Sequence, residues 1–311
     1  MEYFSIYSFY RFTKIKNKKI IKKKLDIYLK NKLIKGTILL ADEGINASIA
    51  GDEKILNEIL IFIKKILNIR KINNKINYID FLPFNKIKVR LKKEIVSLGL
   101  ENLNISTSKA SYISPSDWDK IIMDDNFKVI DVRNKYEIKI GNFTNTLNPN
   151  TENFREFPKK IKEFDFSKND KIAMYCTGGI RCEKAAAFLF SSGFKNIYQL
   201  EGGILNYLEY KKQSNTPSTW KGDCFVFDDR VAVDKNLMIG KYSQCYGCRR
   251  PITEKEILSK YYLKGVFCPF CYKNKSKSKI ARSQERQNQI EKAKKTKTFN
   301  PFLKIKKTYS L

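Results

Sequence analysis

Three short apolar runs constrain what this chain can fold into more than any other feature. "FKVIDVR" (127–133), "DKIAMYC" (170–176) and "NIYQLEGG" (196–203) each read as a strand. Helical patterns follow the second and third, over Arg181–Ser192 and in "ILNYLEYKK". The stretch "SPSDWDKII" has the pattern of a capped helix start, with Pro115 in the first turn. Strands alternating with helices from Ile113 onward predict an α/β domain over 113–213 with a mostly parallel sheet. Ligands in such sheets bind at the carboxyl ends of strands, and Cys176 stands at one of those ends.

Residues 1–100 read as a separate, smaller α/β unit. A strand over Tyr3–Phe9 and a helix over Lys18–Asn31 precede the strand–turn–strand pattern of "GTILLADEGINASIAG". A helix follows with Ile55, Ile59, Phe62, Ile63 and Ile66 at helical spacing, and "IKVRLKKEIVSL" supplies a last strand. The order βαββαβ is that of a ferredoxin-like unit, a fold that hosts many functions. Residues 101–112 read as a linker, and 214–272 as a C-terminal region, irregular to 240 and cysteine-bearing beyond. Residues 273–311 read as a basic tail. Tyr272–Leu311 holds thirteen Lys/Arg against two Glu and few apolar residues, so a mobile tail or an exposed helix is expected.

The formal net charge of +29 points to an anionic partner, nucleic acid above all, although part of the lysine reflects a general excess of Lys, Ile and Asn. No run approaches the ~18 apolar residues of a membrane span. The opening MEYFSIYSFYRF has neither a basic start nor a cleavage site, so a cytoplasmic protein without a membrane partner is expected. Seven clustered cysteines in a reducing compartment suggest metal binding or thiol chemistry.

The chain has no histidine, so any nucleophilic cysteine must be ionised by other means. "YCTGGIRCEKA" (175–185) offers one: strand, cysteine, glycine-rich loop, helix start. Gly178 and Gly179 let successive N–H groups converge, the helix adds its positive end, and Arg181 adds a cation. Such settings lower a cysteine from about 8.5 to roughly 3.5–7.5 and also suit a persulfide. A tyrosine-phosphatase-type loop places five residues between Cys and Arg, whereas four separate Cys176 from Arg181. A buried cysteine beside a glycine turn is the bland alternative. Cys182 either resolves an oxidised sulfur at Cys176 or packs under the loop.

Cys245-x-x-Cys248 and Cys268-x-x-Cys271 have the spacing of a four-thiolate zinc site, structural rather than catalytic, with disulfides or leftover reduced thiols as the alternatives. Cys224 reads as a buried structural cysteine or a partner thiol. "DEGINAS" (42–48) reads as a hairpin turn in which Asn46 is a candidate RNA contact. Lys88 and Arg90 alternate onto one face of a strand, either solvated or facing phosphates.

"DVRNKYEIKIGNF", "YCTGGIRCEKA" and "YQLEGGILNYL" together resemble a rhodanese domain. With "GTILLADEGINASIAG", "KVRLKKEIVSLG", "WKGDCFVFDDRVAV" and the paired cysteines, residues 1–272 resemble the oxygen-dependent tRNA uridine hydroxylases, which convert the wobble uridine to 5-hydroxyuridine. The resemblance implies an acylphosphatase-like N-terminal domain, a rhodanese domain and a cysteine-bearing C-terminal region. It implies that Cys176 is catalytic and persulfide-capable, with Arg181 in the active loop Thr177, Gly178, Gly179 and Ile180, and with Asp131 and Arg133 in support. The implied partners are a tRNA anticodon loop, molecular oxygen and an unidentified electron donor. Without histidine a two-His-one-carboxylate iron site is impossible, and no G-x-G-x-x-G marks a flavin or nicotinamide site, so no organic cofactor is expected. A sulfurtransferase and a non-catalytic RNA-binding module are the rival readings.

Overall fold

The computed structural model describes residues 3–100, 103–105, 110–296 and 298. Two compact units result. One comprises the residues up to Phe225 together with Val233–Met238, and the other Val226–Ala232 with the residues from Ile239 onward.

The first unit begins with β1 (Phe4–Phe12), α1 (Lys18–Leu29), β2 (Ile34–Ala41), β3 (Gly44–Gly51), α2 (Glu53–Leu67), β4 (Asn73–Ile79) and β5 (Ile87–Leu91). The strand order β4-β1-β3-β2 is ferredoxin-like, and β5 adds a fifth strand parallel to β2. "IKVRL" is thus an addition to the expected sheet, and the fourth strand is the polar "NNKINYI". Within that stretch only Ile76 and Ile79 are apolar residues packed into a core, on two different clusters, which is why its composition hides it. α2 follows its apolar spacing, burying Leu56, Ile59, Leu60 and Ile63. Its Asp52 N-cap accepts from the N–H groups of Lys54 and Ile55, satisfying two otherwise orphaned donors.

A second sheet, β6-β10-β9-β7, is wholly parallel. It is built from β6 (Ser111–Ile113), β7 (Phe127–Asp131), β9 (Lys171–Tyr175) and β10 (Asn196–Leu200). Around it lie α3 (Trp118–Met123), α4 (Lys135–Ile138), α5 (Phe157–Lys160), α6 (Ile180–Ser191) and α7 (Gly203–Ser214). β8 (Gly141–Phe143) pairs antiparallel with β11 (Trp220–Gly222), and β12 (Cys224–Phe225) follows. Leu98 is buried in the core of this second sheet, so the first chain segment crosses into it before residue 100. Part of the expected linker, 101–102 and 106–109, lies outside the described residues.

Lys184 on α6 is 1% exposed and joins the two sheets, bonding Glu43 at 2.8 Å and Glu94 at 2.5 Å. Lys75 on β4 adds an ion pair with Glu209 of α7.

After β13 (Ala232–Val233), the second unit carries the antiparallel pair β14 (Ser243–Gln244) and β15 (Pro251–Ile252), then α8 (Glu254–Ile257) and α9 (Lys277–Lys295). Its small core gathers Cys245, Cys268 and Cys271 with Ile252, against which Tyr262, Phe267 and Phe270 pack. Of the two expectations for the basic segment, residues 277–295 meet the helical one; 299–311 lie outside the described residues. No helix among the described residues is long and apolar enough to cross a membrane.

Candidate active site

Cys176 follows directly on β9 and precedes α6, and its residue is 1% exposed. Gly179, at φ +92°, turns its N–H onto the Cys176 Sγ at 3.1 Å. A left-handed conformation at that point favours glycine, and the Tyr10 hydroxyl sits 3.0 Å from where a Cβ would lie. Thr177 is buried, whereas Gly178 is exposed with open space where its Cβ would stand. Ile180 opens α6.

Burial pushes the Cys176 thiol up. It is outweighed by a hydrogen bond from the Cys182 thiol, the Arg181 charge and the N–H groups of Arg181 and Cys182, which bring Cys176 down to about 6. Cys182 shifts the opposite way, held protonated by burial and by the Cys176 thiolate that its S–H serves. Cys182 is therefore a donor within the loop and fully buried in its core.

Arg181 does not stand alone. Its guanidinium forks onto Glu137 at 2.6 and 3.0 Å, and both residues are buried. Glu137 also accepts from the Asn134 N–H at 2.8 Å, closing the capping box of α4. Sequence reading missed Glu137; its one local signal is the N-x-x-E pattern of "NKYE". Asp131 and Arg133 form a pair of their own, with Arg133 Nη2 at 2.6 Å from the carboxylate and 2.7 Å from the Gly141 carbonyl. The guanidinium also lies over the Trp220 and Tyr175 rings, 5.1 and 5.9 Å from their centroids. The pair thus links the end of β7, at Asp131, to Tyr175 at the end of β9.

Gly203 is a second omission. At φ +67° a Cβ there would lie 2.4 Å from the Cys176 carbonyl oxygen. The absence of that Cβ lets the Ile204 and Leu205 N–H groups donate to the carbonyls of Cys176 and Thr177 at 2.9 and 3.1 Å. The start of α7 thereby fixes the loop backbone while the loop's own N–H groups face the sulfur. The tandem glycine in "LEGGIL" was the sequence signal.

The first domain also reaches the loop. Tyr10 of β1 and Tyr112 both donate to Glu183 Oε1, at 3.4 and 2.7 Å. Asn46, the candidate RNA contact, gives its amide to the Ile95 carbonyl at 3.0 Å. On β5, Ile87, Val89 and Leu91 pack on the core while Lys88 and Arg90 occupy the other face. Cys224 is buried and, chiefly through that burial, pushed up to about 12, so it remains a thiol near neutral pH.

In the second unit, the sulfurs of Cys245, Cys248, Cys268 and Cys271 all lie within 4.8 Å of one another. Three pairs stand at 3.8, 3.9 and 4.0 Å. A tetrahedral ion with Zn–S bonds of 2.3 Å requires sulfurs about 3.8 Å apart, so the group fits a four-coordinate thiophilic metal.

The fold and the loop define a rhodanese-type thiol protein with an acylphosphatase-like domain ahead of it. Residues 4–95 match the UPF0176 acylphosphatase like domain, and residues 114–210 the rhodanese-like domain. A tRNA uridine(34) hydroxylase from Pelagibacter ubique (strain HTCC1062) is 45% identical over 302 residues, 97% of this chain and 99% of that protein. The chain belongs to the tRNA uridine(34) hydroxylase family. Among solved structures, a rhodanese-related protein from Thermoplasma volcanium is 29% identical, covering 32% of this chain and 92% of that one, with a TM-score of 0.27. A rhodanese-like domain protein from Staphylococcus aureus is 22% identical, covering 31% and 90%, also with a TM-score of 0.27.

Proposed function

We propose that this protein hydroxylates the wobble uridine of tRNA at C5, with Cys176 as the catalytic nucleophile. The observation that carries the reading is a thiol brought down to about 6 at the head of a rhodanese loop, in a chain 45% identical to a tRNA uridine(34) hydroxylase over nearly its whole length. The thiolate adds to C6 of a uracil splayed out of its stack, which makes C5 carbanionic. C5 takes up dioxygen as a hydroperoxide. Two electrons and two protons from an external reductant then cleave the O–O bond, leaving hydroxyl on C5 and releasing water. Loss of the C5 proton and departure of the Cys176 thiolate restore the C5–C6 double bond. Cys182 and the loop N–H groups hold the sulfur ionised before attack and after release. Arg181, locked by Glu137, supplies fixed positive charge, and Thr177, Gly178, Gly179 and Ile180 shape the cradle.

Nucleoside mass spectrometry of tRNA from cells carrying the wild-type chain or Cys176→Ser tests this. Loss of 5-hydroxyuridine in the variant is expected, and normal levels would refute it. A thiolated nucleoside in place of the hydroxylated one would favour sulfur transfer. We further propose that Cys245, Cys248, Cys268 and Cys271 hold one structural zinc. All four positions would then be protein sulfur, so the ion would tie the second unit together without contacting substrate.

A further inference from the structure

The second unit carries a concavity of about 270 Å³ lined by Tyr246, Gly247, Lys275, Lys279, Arg282 and Arg286, among others. No carboxylate lines it, and none of its four cations is in an ion pair among the described residues. Lys184, Arg181 and Arg133 in the first unit are each matched by acidic partners. Three of the four donate to backbone carbonyls, which leave their charge intact; Arg282 donates within its own helix, to Ser278 at 3.3 Å. Lys275 donates to the Gly247 carbonyl at 2.7 Å, and Arg286 to the Gly265 carbonyl at 2.8 Å. Lys279 and Arg282 are exposed.

Lys279, Arg282 and Arg286 fall at i, i+3 and i+7, one face of α9. Of the two acids of the helix, Glu291 is on another face and Glu285 borders the stripe, three positions after Arg282; both are engaged by neighbouring glutamines, Gln289 donating to Glu285 and Gln287 to Glu291, each at 2.9 Å. The helix has no acidic residue in its first turn, so its positive end adds to the stripe. From Lys279 to Arg286 the axial rise is about 10 Å at 1.5 Å per residue.

We infer that this concavity and the α9 stripe form a docking site for the phosphate backbone of the tRNA substrate. The inference rests on the tRNA reading above and adds where the backbone is held. A polyanionic strand complements an unpaired row of cations, and Tyr246 offers a ring at its edge. An anionic membrane surface fits less well. A helix that lies on lipid needs a continuous apolar face of large side chains, and α9 has only Ile280, Ile290 and two alanines among its polar residues.

The test is fluorescence anisotropy of a labelled tRNA carrying uridine at the wobble position, titrated with the full chain across salt. The variant is Lys279→Gln/Arg282→Gln, whose side chains are exposed and can be removed without unfolding the unit. Two cations fewer against the phosphates should lower the slope of log K against log salt by about 1–2, with roughly tenfold weaker binding at physiological salt. A matched removal of two charges from the first unit, Lys23→Gln/Lys162→Gln, is expected to change the slope by less than half as much. Equal slopes for the two double variants would overturn the inference, because binding would then follow total charge rather than this site. So would binding to phosphatidylserine vesicles that the α9 variant loses while its tRNA slope stays unchanged. Cys176→Ser separates the two readings. That variant is expected to keep the wild-type tRNA slope while forming no product. Normal product from it would refute the catalytic reading alone, whereas no tRNA binding by the wild type would refute both.

Discussion

Replacing Cys182 by alanine should move the ionisation of Cys176, though the two thiols differ only in which one keeps its proton. The Cys182 S–H is the foremost of the groups that lower Cys176 against its burial. A hydrogen bond to a charged group is worth about 1.5–3 kcal/mol. At 1.36 kcal/mol per pKa unit, its loss raises Cys176 by about 1–2 units, from about 6 to roughly 7–8. Near pH 7 the thiolate fraction then falls from roughly nine-tenths to between a half and a tenth. Cys182→Ser keeps a donor at the same place and should hold Cys176 within about half a unit of the wild type. Site-resolved alkylation, following the Cys176 peptide by mass spectrometry across pH, reads all three midpoints. A wild-type midpoint near 9, or an alanine variant that titrates like the wild type, would refute the claim that the loop ionises its sulfur through this contact.

Other consequences of the same geometry are open to measurement. Because the folded Cys176 lies below its ordinary value, its thiolate adds stability that is complete above about pH 9 and fades as pH falls through about 6. The gap in melting temperature between wild type and Cys176→Ala should therefore widen from pH 6 to 9, and a constant gap would contradict it. Lys184→Met strands Glu43 and Glu94. A broken buried pair costs about 3–5 kcal/mol, and their partial exposure reduces this to roughly 2–4, readable as a shift in the denaturant midpoint. Gly203→Ala forces a Cβ against the Cys176 carbonyl and should cut hydroxylation at least about tenfold through misplacement of the loop; wild-type turnover would show that α7 does not position it. Elemental analysis should find one zinc per chain, absent from Cys268→Ser, and a metal-free wild type would remove the structural-zinc proposal.

What could be read from sequence was local. The Cys176 loop lies within eleven consecutive residues, and the cysteine pairs declare themselves by spacing. The first sheet's hairpin and α2 follow periodicity. What escaped depends on separation along the chain. Glu137 meets Arg181 from 44 positions away, and Lys184 finds Glu94 across 90. Tyr10 lies 173 positions from Glu183. No pattern in a short window joins such partners. β4 escaped for another reason: an edge strand needs few apolar residues, and Asn and Lys fill its outward positions. α9 was ambiguous because a helix with almost no apolar face shares its composition with a solvated tail.

The lysine at position 184 bears on modularity. Its charge belongs to the rhodanese layer, while the two carboxylates that neutralise it come from the segment ahead of that layer. A fragment cut between the two would carry an ammonium group stripped of both counter-ions and of the segment that covers it, one residue from Glu183 and two from Cys182. The central domain of this protein is thus not a portable part. Grafting it alone onto another chain would transplant the reactive loop without the acids that keep its helix in place.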